Sequence, residues 1–441
     1  MLLKLKIAIA DYPHTIAIKN GTIPIEGVDP EFITIVPQIA AYRRMVRQEE
    51  FDVCELAPTT YIIARAVGAN FIGLPIFVTR HFHHGGLLVR PDAGIKSPKD
   101  LEGKKVGVRA YSVTTGVWAR GIFTEEFGMN SSKVTWVVDD EEHVTQLKLP
   151  PNVEHTKPGQ SLFSMMQKGE ISAGFAANAG IGRSGAPGGG WKTEDTSAYP
   201  DMFPNAAELE AEWYHRTGIY PMHATIVVKD AVLAEHPWVA KSLYNAFAQA
   251  KAEWLKTLGT ATGGDQKYQK LSKIVGPDPL PYGMAPNRAT IDALQLAAWK
   301  QKLIPVLVDA FRIMVRENRF DICEMAITTY ITAKAHGKKF TAIPVFLVRG
   351  FHHGAIMVNT KARIKTPKDL EGKRVGVNRG YTVTTGVWAR SVLQREHGVD
   401  LSKVTWVLSG DEHVAEYKAP GNVVPMDKSK TMADHLISGD L

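Results

Sequence analysis

Three histidines and an arginine are concentrated in the segment RHFHHG (80–85), which follows an apolar run with a strand-like pattern. A guanidinium presents a planar fork to a carboxylate, and an imidazole titrates near neutral pH and can donate a proton. We therefore expect Arg80 and His83 to bind a carboxylate and His84 to act as a proton donor. The alternative is structural, with Arg80 paired to an acid and one histidine capping a loop. On a strand His84 faces opposite to His83, so one of the two at most is expected to reach a shared cleft directly.

The same histidines also suggest zinc, because imidazole is a common metal ligand. Alternation along a strand places only His81 and His83 on one face. A repeated segment, described below, has Gly350 at the position of His81. The sequence therefore predicts neither a metal site nor an organic cofactor.

Further candidates for acid-base chemistry lie at the expected rim of a cleft. Asp11 and His14 follow the first apolar run, and His223 follows TGIYPM (217–222). We expect these side chains to exchange protons with a ligand. Solvent exposure of His14 and burial of His223 in a hinge are the structural alternatives.

A third group of candidates surrounds the predicted start of a helix at GVWARG (116–121). Hydroxyl groups at such a position satisfy free backbone amides, and the amides together with the helix dipole bind anions. Plain capping and core packing are the alternatives. The residues expected to contact a substrate here are Tyr111, Ser112, Thr114, Thr115, Trp118 and Arg120.

Two conspicuous polar segments carry no prediction of a site. The run DDEEH (139–143) is interpreted as a solvated loop or helix start. The glycine-rich GIGRSGAPGGG (180–190) has no following Gly-Lys-Ser/Thr and does not fit a phosphate loop, so it is interpreted as a mobile loop at the cleft.

The elements that must position these side chains alternate between strand-like and helical patterns, which predicts a parallel sheet covered on both faces. A second α/β unit begins at KKVGVR (104–109), and HATIVVK (223–229) offers a strand back to the first. Two crossovers between lobes are typical of a hinged cleft. Its ligand lies at the carboxyl ends of strands and the amino ends of helices.

An internal repeat extends this organisation. FDVCELAPTTYIIARAVG (51–68) returns as FDICEMAITTYITAKAHG (320–337), and VTTGVWAR occurs at both 113–120 and 383–390. The second copy also carries Arg349 at the position of Arg80. The predicted domains are the first part of lobe I (1–92), lobe II (93–222), a return to lobe I with C-terminal helices (223–302) and an incomplete repeat of residues 34–171 (303–441).

Composition excludes several classes of protein. The 441 residues are 44% hydrophobic and 22% charged, as in globular proteins, and two cysteines cannot form a disulfide framework. The net charge of +7 comes from basic residues mixed with acids, so we expect no nucleic-acid partner. No apolar window is long enough for a membrane span, and the N-terminus is interpreted as a first strand rather than a signal peptide. We expect a cytoplasmic homo-oligomer.

Taken together, a series of motifs resembles the 4,5-dihydroxyphthalate decarboxylase family over about residues 3–306. The motifs are DYPHT (11–15), RHFHHG (80–85), PKDLEGKKVGV (98–108), TTGVWARG (114–121), GEISAGF (169–175), TGIYPMHATIVV (217–228) and HPWVAKSLYNAFAQAK (236–251). The resemblance implies a two-lobed α/β fold of the type II periplasmic-binding-protein-like kind, with parallel-dominated sheets and here a partial second copy.

The resemblance also implies non-oxidative decarboxylation of a dihydroxylated aromatic dicarboxylate to protocatechuate and CO2. On this interpretation Arg80, with Thr114 and Thr115, holds the retained carboxylate. His14 or Asp11 accepts the phenol proton, and His84 or His223 delivers a proton to the ring. The alternative is a protein that binds an aromatic or sulfonate-type anion without catalysis, because a fold does not determine a function.

Overall fold

The computed structural model describes residues 2–185, 190–304, 307–320, 323–343, 350–427 and 429–441. The chain forms two compact units, Met1–Pro305 and Val306–Leu441. None of the helices in the described ranges has an apolar stretch long enough to cross a membrane.

Lobe I of the first unit begins with strands and helices in strict alternation. They are β1 (Leu3–Ala8), α1 (Ile16–Lys19), β2 (Val28–Phe32), α2 (Ile39–Gln48), β3 (Val53–Leu56), α3 (Pro58–Ala66) and β4 (Phe71–Arg80). Consecutive residues of β3 face opposite sides of the sheet, since Val53 and Cys54 belong to different hydrophobic clusters. A strand buried on both faces is largely apolar, which explains the nearly continuous hydrophobic runs in the sequence.

Lobe II follows, and it ends with a long helix. Its elements are β5 (Leu87–Val89), β6 (Lys105–Gly107), α4 (Thr114–Phe127), β7 (Thr135–Val138), β8 (Val153–His155), α5 (Leu162–Gln167), β9 (Ala173–Phe175), β10 (Arg183–Ser184), β11 (Lys192–Thr193) and α6 (Ala206–Thr217). Helix α4 ends at Gly128, whose φ of 65° is the left-handed conformation that glycine adopts without steric cost.

The chain then returns to lobe I. The returning elements are β12 (Met222–Lys229), α7 (Asp230–Glu235), α8 (Trp238–Thr257), α9 (Gln266–Val275) and α10 (Arg288–Lys300). Helix α10 packs on α4 of lobe II. At Gly121 an added Cβ would lie 3.1 Å from the Cβ of Ala297, so the absence of a side chain permits this close approach.

Both lobes are built on mixed sheets, in which two of the four strand pairs of lobe I and three of the four of lobe II are parallel. The strand order is β2-β1-β3-β12-β4 in lobe I and β5-β9-β6-β7-β8 in lobe II. Each sheet also contains one strand that runs antiparallel to its neighbours. In lobe I this strand is β12, which pairs with β3 and β4, and in lobe II it is β5, which pairs with β9. The first unit therefore has the expected two-lobed type II periplasmic-binding-protein-like fold, with crossovers at residues 81–86 and 218–221.

The second unit contains a smaller sheet. Its elements are α11 (Leu307–Glu317), α12 (Ile327–Ala335), β13 (Arg374–Val377), α13 (Thr384–His397), β14 (Thr405–Leu408), β15 (Val423–Pro425) and α14 (Met432–Ser438). Strands β13, β14 and β15 are parallel, as are β6, β7 and β8. Among the described residues of this unit no strand precedes β13. Arg349 lies outside the described residues.

Candidate functional site

Three histidines meet where the two lobes join, and we call His81, His83 and His223 the histidine cluster. Strand β4 ends at Arg80, directly opposite Met222 at the start of β12. His81 follows Arg80 and His223 follows Met222, so these two histidines are neighbours in space although they are remote in the chain. The register of β12 shifts between Met222 and Ala224, and such an irregularity re-aims the side chain between them.

The histidine cluster is compact. The ring centroids of His81 and His83 are 4.3 Å apart, as are those of His81 and His223, and His83 and His223 are 5.6 Å apart. One ring nitrogen from each residue lies within 4.8 Å of the other two. The sequence argument against a metal site was wrong in its geometry, because the third histidine comes from β12 rather than from the RHFHHG segment.

The imidazoles of this cluster are neutral at pH 7. Burial lowers the pKa of His81 to about 4, helped by the charge of Lys267. Burial also places the pKa values of His83 and His223 well below their usual range, and neighbouring histidines lower both further. A neutral imidazole offers a lone pair and carries no stored proton. His223 therefore carries no proton to deliver at pH 7, and its lone pair is free to bind a cation.

His84 lies apart from the cluster. Its ring packs against Trp213 with centroids 5.1 Å apart, and burial lowers its pKa to about 4. The backbone amides of His84 and Gly85 donate to the Glu210 carboxylate, whose pKa burial raises to about 7. Only His83 of the adjacent pair joins the cluster, and the geometry does not support His84 as a proton donor to a ligand in the cleft.

Arg80 is fully buried, and oxygens of the protein itself accept hydrogen bonds from its guanidinium. Its Nη1 donates to the carbonyl of Tyr220 (2.6 Å), and its Nη2 donates to the carbonyl of Pro281 (3.2 Å) and to Asn287 Oδ1. The guanidinium also lies 5.0 Å from the ring of Phe77. The role of Arg80 as a carboxylate clamp stays a prediction, which this geometry does not favour because these donors already bind oxygens of the protein itself.

An internal carboxylate fills the expected anion site at the start of α4. The backbone amides of Tyr111 and Ser112 donate to Glu142 (2.6 and 3.1 Å), and the Ser112 hydroxyl does so as well. A hydrogen bond of 2.7 Å joins Thr114 Oγ1 to Thr59 Oγ1 of lobe I. Capping and contact between the lobes account for these residues, so the geometry does not favour substrate contact by Tyr111, Ser112 or Thr114.

The remaining candidates on α4 have different surroundings. Thr115 is half-buried. Trp118 is buried and its indole donates to the carbonyl of Met222 (3.2 Å). Arg120 is fully buried, donates from Nε to Gln301 Oε1 (2.7 Å) and stacks 3.9 Å from the ring of Tyr111. Trp118 and Arg120 are buried in the core, so their contact with a substrate stays a prediction that this burial does not favour.

The two candidates after β1, Asp11 and His14, lie in different surroundings. Asp11 is exposed and forms an ion pair with Lys19, so it does not lie among the buried candidates. His14 is 1% exposed and stacks on Tyr12, with Trp254 as another ring neighbour. Burial lowers the pKa of His14 to about 4, so its imidazole is neutral at pH 7.

A buried carboxyl that the sequence analysis missed lies beside Tyr12. Glu55, on β3, accepts hydrogen bonds from the amide of Ala10 (3.1 Å) and from the hydroxyls of Tyr12 (2.7 Å) and Tyr42 (2.9 Å). Burial raises the pKa of Glu55, although these hydrogen bonds oppose the change. In the sequence this glutamate is an ordinary member of a strand-like run, and nothing local marks it.

A second missed group, which we call the arginine cluster, comprises Arg43, Arg109, Arg183, Asp139 and Asp140. Asp140 pairs with Arg43 of lobe I (2.8 Å) and with Arg109 of lobe II (3.0 Å), and Asp139 pairs with Arg183. Burial pushes the pKa of Asp140 upward, but the charges of the two arginines outweigh this effect and lower it. The interpretation of DDEEH as solvated was therefore wrong for these aspartates, which lie in the interior after β7.

The arginine cluster retains unused hydrogen-bonding capacity. Three guanidinium groups face two carboxylates. Buried nitrogens of Arg43, Arg109 and Arg183 have no hydrogen-bond partner within the described ranges. The ring of Trp191 lies 5.5 Å from the guanidinium of Arg109 and 4.9 Å from that of Arg183. An anion with a flat ring fits the chemistry of such a surface.

The two clusters are neighbours. The positive charge of Arg109 contributes to the low pKa of His223. It also contributes to the low pKa of His143, whose Nδ1 shares a hydrogen bond of 2.9 Å with Thr60 Oγ1 of lobe I. The site thus combines permanent positive charge with neutral imidazoles. Residues 186–189 of the glycine-rich segment lie outside the described residues.

Two family models match the chain. Residues 27–180 match the model described as ABC transporter, phosphonate, periplasmic substrate-binding protein. Residues 313–423 match the model described as NMT1/THI5 like. The two matches fall in the first and second compact units respectively.

Solved structures with related folds are remote in sequence. A putative sulfonate ABC transporter, periplasmic sulfonate-binding protein SsuA from Methylobacillus flagellatus KT is 10% identical with a TM-score of 0.41, over 74% of this chain and 99% of its own. The desulfurization enzyme DSZB is 14% identical with a TM-score of 0.37, over 70% of this chain and 95% of its own.

Two curated relatives are closer. The 4,5-dihydroxyphthalate decarboxylase of Comamonas testosteroni is 30% identical over 305 residues, covering 66% of this chain and 89% of the relative. The 4,5-dihydroxyphthalate decarboxylase of Pseudomonas putida is 35% identical over 179 residues, covering 39% of this chain and 69% of the relative. The chain therefore belongs to the 4,5-dihydroxyphthalate decarboxylase family.

Proposed function

We propose that the protein is a carboxy-lyase that removes CO2, without oxidation, from a dihydroxylated aromatic dicarboxylate of the 4,5-dihydroxyphthalate type, giving protocatechuate. The observation that carries the proposal is a buried arginine cluster beside the histidine cluster, near enough for the charge of Arg109 to lower the pKa of His223. Membership of the decarboxylase family supports the same conclusion.

The chemistry of this reaction explains why both clusters are needed. A proton must add to the ring carbon that bears the departing carboxylate, and the para phenol must lose its proton. The resulting dienone-like intermediate releases CO2, and the electrons of the broken bond restore the aromatic ring as a phenolate. Water supplies both the proton that adds to the ring carbon and the proton that the phenolate takes up, and the phenol proton returns to water. The substrate dianion and one water thus give the protocatechuate monoanion, CO2 and hydroxide, so charge and atoms balance.

The arginine cluster suits the carboxylate that stays on the ring. Arg109 and Arg183 offer buried guanidinium nitrogens without partners, and charge-assisted hydrogen bonds to a carboxylate are among the strongest that proteins form. The indole of Trp191 lies beside both guanidinium groups. We assign the clamp to these residues in place of Arg80.

The histidine cluster suits the phenol oxygens. Its neutral imidazoles carry lone pairs, and His83 and His223 have buried ring nitrogens with no partner among the described residues. A group that stabilises a developing phenolate in a water-poor site lowers the barrier more than the same group in water. His14, neutral and held by Tyr12, remains a proposed proton acceptor at the edge of this site.

The direct test is to incubate the purified protein with 4,5-dihydroxyphthalate and to measure CO2 and protocatechuate. In D2O, the protocatechuate should carry one ring deuterium at the carbon that lost the carboxylate. Arg109→Gln should lower kcat/KM by about 10- to 100-fold, since a hydrogen bond to a charged group contributes about 1.5–3 kcal/mol. Arg216→Gln, which changes an exposed arginine of lobe II, is the matched control and should retain wild-type kinetics.

The second candidate function is the binding of an aromatic or sulfonate-type anion without turnover. The match of residues 27–180 to a periplasmic substrate-binding family favours it. Saturable binding of 4,5-dihydroxyphthalate with no release of CO2 would establish this alternative and reject the carboxy-lyase.

The cellular setting is part of the same proposal. We infer a cytoplasmic protein that assembles as a homo-oligomer. Cell fractionation of the native host tests the first inference, and the mass of the purified protein by light scattering tests the second.

A further inference from the structure

We propose that His81, His83 and His223 bind one divalent transition-metal ion, of the zinc type, at the junction of the two lobes. Zinc–imidazole bonds of about 2.0–2.1 Å place three tetrahedral nitrogens about 3.3 Å from one another. In the protein these nitrogens already lie within 4.8 Å of each other. Small side-chain rotations therefore suffice to close the site around an ion.

The buried nitrogens of the cluster need a partner. His83 is 1% exposed, and its Nε2 has no hydrogen-bond partner within the described ranges. The same holds for Nδ1 of His223. A buried polar atom without a partner destabilises the fold, so a ligand that uses these lone pairs stabilises it. The low pKa values of the three histidines are consistent with this use, since metal ligands must be deprotonated.

The backbone accounts for the selection of these three residues. Arg80 and Met222 are paired across β4 and β12, His81 and His223 follow the two members of this pair, and the register of β12 shifts at His223. The ring centroids of His81 and His223 are 4.3 Å apart. His84 is adjacent in sequence but packs on Trp213 and takes no part. The site thus depends on the long-range pairing of two strands, and the local run of histidines alone does not form it.

The ligand set indicates the class of metal. Three imidazoles without a thiolate suit zinc, cobalt, nickel or copper better than magnesium or calcium, which prefer oxygen ligands. Three protein ligands leave a fourth position open, as in catalytic rather than structural zinc sites. A divalent ion held by three neutral imidazoles keeps both of its positive charges, so an anionic oxygen is the fourth ligand that best balances the local charge.

Resting on the proposed function, that fourth ligand is a phenol oxygen of the substrate, ionised on the metal. Binding of metal and of a catechol acid should then be coupled, because each increases the affinity of the other by the same factor. Protocatechuate, the expected product, provides a stable probe of this coupling.

The test starts from full-length protein that has been stripped with a chelator and dialysed. Zn2+ is titrated by calorimetry, bound metal is counted by mass spectrometry, and Co2+ is added as a visible probe of coordination. We expect one tight equivalent and a Co2+ spectrum with three nitrogen ligands. His81→Ala and His223→Ala should each weaken Zn2+ binding by at least 10-fold and abolish the spectrum. His155→Ala, at an exposed histidine of lobe II, is the matched control and should bind as wild type does.

Circular dichroism and urea unfolding of each variant separate loss of ligand from loss of fold. Unchanged Zn2+ affinity in a folded His81→Ala or His223→Ala protein would overturn the site, as would the absence of saturable binding in wild type. If the protein decarboxylates 4,5-dihydroxyphthalate but binds no metal, the metal site fails and the proposed function stands. If it binds one Zn2+ but releases no CO2, the function fails and the site stands. Full activity in metal-free protein would overturn the role of the metal in holding the phenol.

Discussion

At the residue scale, buried arginines in this protein differ in the groups that they meet. Arg80 and Arg120 donate to carbonyl and amide oxygens of their own core. Arg109 and Arg183 pair with aspartates instead. Arginines of both kinds keep a buried nitrogen without a partner among the described residues. Residue type and local spacing are the same in both classes. Only the partners distinguish an arginine that stabilises the fold from one that can bind substrate.

Arg80→Gln should therefore destabilise the protein without removing its activity. The shorter side chain leaves the buried carbonyls of Tyr220 and Pro281 without their donor, and each such group costs about 1–3 kcal/mol. We expect a clear loss in the free energy of unfolding measured with urea, while kcat/KM of the folded fraction stays near that of wild type. Wild-type stability combined with lost turnover would return Arg80 to the substrate site.

The buried neutral histidines predict the pH dependence of stability. The pKa of His14 falls from 6.5 in the unfolded chain to about 4 in the folded protein, with burial as the main cause. The unfolded state therefore binds more protons between these values. The stability that neutral His14 contributes is complete above pH 6.5 and is lost as the pH falls towards 4. Its magnitude is on the order of a few kcal/mol.

His14→Phe removes this titration and preserves an aromatic ring beside Tyr12 and Trp254. Between pH 6.5 and 4.5 the variant should lose less unfolding free energy than wild type, as measured by urea denaturation. His155→Ala, at an exposed histidine, should leave the wild-type pH dependence unchanged. Identical slopes for wild type and His14→Phe would show that His14 is not held neutral by burial.

At the element scale, the amino end of α4 is capped from another loop. Glu142 accepts hydrogen bonds from the amides of Tyr111 and Ser112, and in the second unit Glu412 accepts them from Tyr381 and Thr382. A carboxylate at a helix amino end satisfies free amides and complements the helix dipole. The loop after β7 is therefore ordered by the helix that it caps.

Glu142→Gln should lower the free energy of unfolding by about 1–2 kcal/mol, because it removes the charge that faces the helix amino end. Glu141→Gln is the matched control. Glu141 is 62% exposed on its side chain and pairs only at the surface with Arg47, and surface pairs contribute about 0–1 kcal/mol. Thermal and urea unfolding of the two variants measure the difference. Equal losses in both would contradict the capping role.

At the scale of the whole molecule, the first unit contains every member of both clusters, and the second unit does not repeat them. The second unit has Gly350 at the position of His81, and Ser409 and Gly410 at the positions of Asp139 and Asp140. No segment of it corresponds to residues 172–302, which supply Arg183 and His223. The chemistry proposed here therefore belongs to the first unit alone.

A protein that ends at residue 304 should retain the kcat/KM of the full chain. This boundary keeps Gln301, which accepts the Arg120 hydrogen bond, and Leu303, which is 3% exposed in the core. The measurement is steady-state decarboxylation by both proteins at equal active concentration. A folded truncated protein without activity would show that the second unit contributes to the site.

Residues 303–441 expressed alone should aggregate and release no CO2. Strand β1 lies inside the sheet of lobe I, between β2 and β3, and the second unit has no sequence equivalent of it. Large apolar side chains are exposed in this unit, among them Phe351 (97%), Met357 (81%) and Trp388 (52%). Size-exclusion chromatography and cooperative unfolding provide the measurement. A monomer that unfolds cooperatively and decarboxylates substrate would reject this expectation.

The periodicity of apolar residues was sufficient to predict the alternating strands and helices, the two sheets and the two crossovers. The strands and helices are local features, and the sheets and crossovers follow from the short connections between them. A strand between two covered faces is largely apolar, so it is visible in the sequence. The motifs between DYPHT and HPWVAKSLYNAFAQAK were likewise sufficient to indicate the family. The location of the cleft at the crossovers then follows from the topology.

Only the tertiary structure decided which polar side chains meet. His223 joins His81 because β4 and β12 pair in antiparallel register, a contact between residues far apart in the chain. Asp139 and Asp140 are buried by arginines from both lobes, although their own segment has the composition of a solvated loop. Burial, pKa and partners are set by long-range contacts, and for this reason the residue types in the sequence could indicate candidate side chains but not which of them meet.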